Sequence, residues 1–276
     1  MKGLGIVVNV LAVVIGGSLG DMLRGRYRQR YQELIVQLCG MVAMVISIFG
    51  ALTAMYDVGG EKLEMQGVLI LVFALVTGTV FGTTFNIEGL LTRLGLVLKK
   101  LLGREPAAQG GENTPVKGKQ YTVYELHSPR SGDLFADGFV IATVLVSFGA
   151  LSVSGCMAEG GVGDTTILYI KSAVDFVLVF ALATVFGGSA TLAAFPMLLM
   201  EGIMTLLAVN GLVLAGGKLA SQMAVISAII MLAAGINLAF GKKLRAANMI
   251  PALVIPAIYY GIVDNVTLAV EQALGL

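Results

Sequence analysis

Apolar stretches about as long as a bilayer is thick recur along this chain, and nothing else in the sequence limits its fold so strongly. A helix needs ~20 residues to cross a hydrocarbon core of ~30 Å. Runs separated by charged or Gly-rich breaks give eight spans: Gly3–Leu19, Leu34–Met55, Gly67–Phe85, Leu134–Ser154, Thr165–Phe186, Ala190–Ala215, Met223–Phe240 and Met249–Val263. The last holds Pro251 and Pro256, which remove backbone donors and should kink it. The expected fold is all-α, a polytopic transmembrane helical bundle of about eight spans. Residues 1–86 carry spans one to three, 87–133 a cytoplasmic segment, and 134–276 spans four to eight.

Charge supports this reading. Only 13% of the 276 residues are charged, about half the share in a soluble domain, which needs charge to cover its surface. Glycine is abundant at 36 residues, as suits helices whose backbones approach closely. Trp is absent, so an interfacial aromatic belt falls to Tyr56, Tyr259 and Tyr260. Met1–Leu19 lacks a basic start and an Ala-x-Ala-like end, so it reads as the first span rather than a signal peptide.

Basic residues set the orientation. Arg24, Arg26, Arg28 and Arg30 follow span one; Arg93, Lys99, Lys100, Arg104, Lys117, Lys119 and Arg130 follow span three; Lys242, Lys243 and Arg245 follow span seven. With eight spans these loops share one side, which marks them as cytoplasmic and puts both termini outside, in a bacterial inner membrane. Within the long loop, Ile87–Leu102 reads as an interfacial amphipathic helix, with Leu90, Leu91, Leu94 and Leu98 on one face and Arg93, Lys99 and Lys100 elsewhere. Gly103–Asp133 reads as a flexible linker.

An internal repeat is a further expectation. Phe49-Gly50-Ala51-Leu52 recurs as Phe148-Gly149-Ala150-Leu151, and Leu71-Val72-Phe73-Ala74-Leu75 as Leu178-Val179-Phe180-Ala181-Leu182. Chance matching of apolar sequence explains the matches equally well. Gly16-x-x-x-Gly20 and Gly78-x-x-x-Gly82 permit close helix contact, within one chain or in a homo-oligomer.

Several function classes are disfavoured. A net charge of +1 predicts no nucleic-acid partner. His127 is the lone histidine, and Cys39 and Cys156 fall toward opposite faces, so neither a metal centre, another cofactor nor a disulfide is expected. There is no phosphate-binding loop for ATP. Gly161-Val162-Gly163-Asp164 matches the Gly-x-Gly-Asp pattern of intramembrane aspartyl proteases, but the nearest partner, Asp137, lies a membrane thickness away. The chain is therefore read as not an enzyme.

Span five breaks the apolar rule. Asp164 suits a helix N-cap, and Lys171 and Asp175 follow about 10 Å and 16 Å further along the axis. Four residues apart, Lys171 and Asp175 share a face. A lone charge at that depth costs at least about 2.5–3.5 kcal/mol, so such groups pair or face water. The Gly187-Gly188-Ser189 turn is equidistant from Asp175 and Glu201, so an antiparallel hairpin would bring both carboxylates to one depth. Two such carboxylates could hold a proton or a sodium ion; alternatively Lys171 and Asp175 only lock helix packing. Asn9, Ser172, Asn210 and Asn237 are candidates to line the same cavity or to hydrogen-bond between helices.

These residues also carry a resemblance. Asn9, Gly16-Gly17-x-x-Gly20, Gly78-Thr79-x-x-Gly82, Ile87-Glu88, Pro196 and Asn248-Met249-x-Pro251-Ala252-Leu253 contribute. The most specific part is Glu159-Gly160-x-x-Gly163-Asp164-x-x-x-Leu168-x-x-Lys171-Ser172-x-x-Asp175. Together they resemble the YqgA-like bacterial inner-membrane proteins, a domain of unknown function, over nearly the whole chain except the linker. The resemblance implies a polytopic membrane protein and no established substrate. Two departures stand out: Thr83 where relatives often carry Glu, and Glu201 where some carry Gln.

The functional expectation is a small secondary transporter or ion-conducting protein. Its ion or substrate site would draw on Lys171, Asp175, Glu201, Asp164, Ser172 and Asn9. Its partners would be the lipid bilayer and a small ion or solute, with coupling to Na+ or H+. The alternative is a membrane scaffold or regulator that contacts partners through Ile87–Asp133.

Overall fold

The computed structural model describes residues 2–24, 26, 29–55, 68–102, 133–211, 217–241 and 244–260. Every regular element among them is helical: α1 Leu4–Met22, α2 Gln29–Met55, α3 Val68–Thr84, α4 Ile87–Leu101, α5 Leu134–Ser147, α6 Ala150–Val162, α7 Thr166–Phe186, the single turn α8 Gly188–Thr191, α9 Ala194–Val209 and α10 Lys218–Phe240. A 3-10 helix, Ala246–Leu253, follows and passes into a helical segment at 254–260. Most of the expected linker, Tyr56, His127, Lys242 and Lys243 lie outside the described residues.

The all-α polytopic bundle stands, but about eight spans is too many. Five helices are long and apolar enough to cross a membrane, or up to seven if each of two bent pairs is one span. One pair is α3 with α4, bent by 51°; the other is α5 with α6, bent by 52°. The expected eighth span, Met249–Val263, is a short apolar element over Ala246–Tyr260 within the described residues. Pro251 lies inside its 3-10 turn, where it cannot supply an α-helical hydrogen bond. The placement of both termini on one side rested on eight crossings and does not follow from seven.

Two helix pairs hold most of the bundle. The first is α2 against α10, which cross at Gly40 and Gly235. The second is α1 against α7, where a side chain at Gly16 or Gly20 would strike the carbonyls of Phe176 and Phe180. Gly78 and Gly82 likewise receive the backbone of Ala252 and Asn248. Both small-residue motifs are thus used for packing within the chain. Gly20→Ala should lower stability by roughly 1–2 kcal/mol through overpacking, read as a lower melting temperature in detergent. An unchanged melt would show that α1 shifts freely on α7.

The outward faces are apolar, with Val45, Phe49, Val72, Phe73, Val80 and Leu206 exposed. In water so much apolar surface would drive aggregation, whereas lipid accepts it. Basic groups gather at one end. Arg24 lies beside Gly187, Phe186 packs on Gly138, and Lys99 pairs with Asp133 at 2.6 Å.

The Lys99–Asp133 pair corrects the amphipathic pattern of α4. Lys99 lies on the face packed against α5, together with Gly95 and Leu91, not on its solvent face. Burial opposes the charge on Asp133, but hydrogen bonds from Lys99 and from the amides of Ala136 and Phe135 prevail and hold its carboxyl below the usual range. The same carboxylate thereby caps α5.

The two Phe-Gly-Ala-Leu stretches differ in conformation. The first lies in unbroken α2, and the second spans the break between α5 and α6. They also lie against each other, since a side chain at Gly50 would meet Ala150.

Candidate functional site

The break in the α5–α6 pair builds the site. Phe148 is extended, and Gly149 has φ 130° and ψ 153°, a region open essentially to glycine alone. The helix therefore stops at Ser147 and restarts at Ala150. Backbone groups freed by a break inside a membrane must find other partners. The Gly149 amide donates to Ser227 Oγ of α10 at 2.8 Å. The Val146 carbonyl accepts from Lys171 Nζ of α7 at 2.8 Å.

Lys171 is the hub. It forms an ion pair with Asp175, one turn along α7, and a second with Glu201 Oε1 of α9 at 3.0 Å. Asn9 of α1 donates to the same Glu201 oxygen at 2.9 Å and to Met197 Sδ at 3.4 Å. Lys171 and Asp175 are each 3% exposed, Glu201 1% and Asn9 0%, so water does little to screen these charges. At 1.5 Å per residue, Asp175 lies about 14 Å from the start of α7, near the middle of a ~30 Å core.

α7 and α9 do not pack along their lengths as an antiparallel hairpin; α1 contacts both and supplies Asn9. Asp175 and Glu201 are nevertheless brought to one ammonium. One cation faces two carboxylates, a formal deficit of one positive charge.

Other expected site residues lie elsewhere. Asp164 is exposed at the start of α7, where it accepts the Thr166 amide at 2.9 Å. Hydrogen bonds from the Thr166 hydroxyl and amide hold its carboxyl below the usual range. The N-cap position itself is Thr165, so Asp164 stands one residue before the place the sequence suggests and closes a short turn there; it does not join the cluster. Ser172 is buried but bonds back to the Leu168 carbonyl at 2.7 Å. Asn210 is exposed and bonds to the Leu206 carbonyl, and Asn237 exchanges two hydrogen bonds with the Leu244 backbone.

The sequence reading did not place two further features near the site. Glu159 is fully buried and accepts the Gly5 amide at 2.6 Å, which satisfies the first turn of α1. The second is a cavity of about 10 Å³ beside Glu201, lined in part by Ser147, Ser152, Ser227, Met200 and Met204. This is close to the smallest space that admits a water molecule. The available signal was Gly149 interrupting an apolar run, with Ser147 and Ser152 on either side.

The model for a protein family described as "Protein of unknown function (DUF554)" matches residues 4–261. The "Uncharacterized protein YqgA" of Escherichia coli (strain K12) is 23% identical over 252 residues, which cover 91% of this chain and 94% of that protein. The "Uncharacterized membrane protein YdfK" of Bacillus subtilis (strain 168) is 21% identical over 254 residues, covering 92% and 94%. No solved structure matches the chain. A membrane-named relative and a set of long apolar helices agree on an integral membrane protein, and the chain belongs to the DUF554 family.

Proposed function

We propose that this protein is a small secondary transporter or ion-conducting protein of the bacterial inner membrane, with its basic loops cytoplasmic and no enzymatic activity. The supporting observation is the placement of Lys171, Asp175 and Glu201 against the carbonyl freed by a broken helix. Discontinuous helices whose loose ends meet charged groups near the midplane are a recurring way to build an ion site in transporters. A cluster that only locked helices together would do better with balanced charge, because each uncompensated ion in the interior is costly. Here one positive charge is missing, and a coupling ion, H+ or Na+, would supply it. A scaffold acting through the loop after α4 would have no use for this arrangement.

Asp175→Asn keeps the shape of the side chain and removes one carboxylate. In proteoliposomes under an imposed proton or sodium gradient, wild-type protein should carry an ion flux above that of empty vesicles. The variant should fall to the empty-vesicle level while inserting normally. Full flux in Asp175→Asn would sink the assignment of the site.

A further inference from the structure

We propose that Glu159 controls access to the Lys171 cluster from the membrane face opposite the basic loops, as the latch of a gate formed with Gly5 and Leu168. The proposal deepens the transport reading, and rests on it for what the gate admits.

The gate lies one helical turn outward from the cluster. On α1, Gly5 precedes Asn9 by four residues; on α7, Leu168 precedes Lys171 by three; each pair shares a face. On α9, Thr205 follows Glu201 by four, and a side chain at Gly160 of α6 would strike its carbonyl. The same layer is closed across helices. A side chain at Gly5 would come 2.9 Å from Leu168 and 3.2 Å from Glu159 Oε1, and one at Gly155 would come 2.9 Å from Leu168. Leu168 and Glu159 are fully buried, while Val162, Gly163 and Asp164 just beyond them are exposed. This layer therefore separates the cluster from the surface at that face.

The closure is held at one oxygen. Gly3, the N-cap of α1, has no side chain to cap the helix, so the Gly5 amide takes its acceptor from α6, with Glu159 Oε1 at 2.6 Å. Glu159 Oε2 is buried without a hydrogen-bond partner among the described residues. That oxygen forfeits the hydrogen bonds it would make in water. If the start of α1 swings away, water reaches Oε2, and its hydration offsets the loss of the Gly5 bond. Asp133, the cap of α5, is built differently: Oδ1 accepts the Phe135 and Ala136 amides, and Oδ2 pairs with Lys99. A carboxylate committed at both oxygens locks its helix, whereas one committed at a single oxygen keeps closed and open states close in energy.

The chain carries its own reporters. Cys156 lies one turn inward from Glu159 on α6, is fully buried and borders the small cavity beside Glu201. Cys39 is buried in α2 and reports loosening elsewhere in the bundle. The test is modification of the purified full chain in detergent by a quaternary-ammonium methanethiosulfonate, with each cysteine followed by mass spectrometry. Both should react slowly in wild type. Glu159→Leu keeps the volume and removes the acceptor. It should raise the Cys156 rate by about tenfold or more, the population shift that one lost charge-assisted hydrogen bond gives, with Cys39 unchanged. Glu159→Gln has the same bulk but still offers the Gly5 amide an acceptor, and should stay much nearer wild type. A wild-type Cys156 rate in Glu159→Leu would overturn the proposal. So would a parallel rise at Cys39, which marks general loosening, or equal rises in the Leu and Gln variants, which would mean that the bond to Gly5 holds nothing closed. If Cys156 responds as expected but wild-type vesicles carry no flux, the gate stands and the transport reading falls. Flux in wild type with no response at Cys156 overturns the gate alone.

Discussion

Replacing Lys171 with Met should destabilise the protein by about 3–5 kcal/mol, the usual consequence of breaking a buried ion pair from one side. Asp175 and Glu201 would then face each other with no cation between them, and the Val146 carbonyl would lose its donor. Met nearly matches Lys in volume, so the effect is charge rather than cavity. The melting temperature in detergent should fall by on the order of 10 °C. Asp175→Leu alone should be much milder, because Lys171 keeps Glu201 as a partner. Combining Lys171→Met with Asp175→Leu should recover most of the loss, since it leaves one carboxylate where the single variant leaves two. Such recovery is a coupling energy, and additive effects would mean that the groups do not interact. A Lys171→Met variant that melts like wild type would refute the buried cluster.

Part of this cluster is legible in the linear chain for simple reasons. Lys171 and Asp175 stand at helical spacing inside an apolar run, and the alternatives to pairing there are costly. Glu201 is legible as a carboxylate inside an apolar run, but the hairpin that would set its depth is not how α7 and α9 pack, and α1 joins the two. Asn9 is visible as a polar residue in a span, but its partner is 192 positions away and no local pattern points to it.

What is not legible is the broken helix. Leu134–Ser154 reads as one span because Phe148, Ala150 and Leu151 suit a continuous apolar helix. Gly149 is one glycine among many, and the left-handed φ that separates it from the packing glycines is a tertiary property. The count of about eight spans fails where tertiary contacts decide. Ala246–Leu253 is apolar, yet it is pinned as a 3-10 turn under Gly78 and Gly82. Glu159 falls in an expected loop, but α6 continues to Val162 and folds that carboxylate onto the start of α1.

Gly149→Ala should therefore damage the site through backbone strain rather than through crowding alone. At φ 130° a Cβ is strained whatever space surrounds it, and it would come 2.8 Å from Met231 Sδ. Holding Ala there costs about 1–3 kcal/mol. The chain can relieve the strain only by moving residues 148–150 toward helical angles. That movement would turn the Val146 carbonyl toward the Ala150 amide and away from Lys171. The variant should melt several degrees lower and lose ion flux in proteoliposomes, although every charged residue is intact. Gly202→Ala is the matching control. It lies inside α9 next to Glu201, where a Cβ would meet nothing within 4 Å. An alanine there should stabilise the helix by roughly 0.5–1 kcal/mol. If both variants melt and conduct alike, the break at Gly149 does not build the site, and Lys171 must find its carbonyl partner elsewhere.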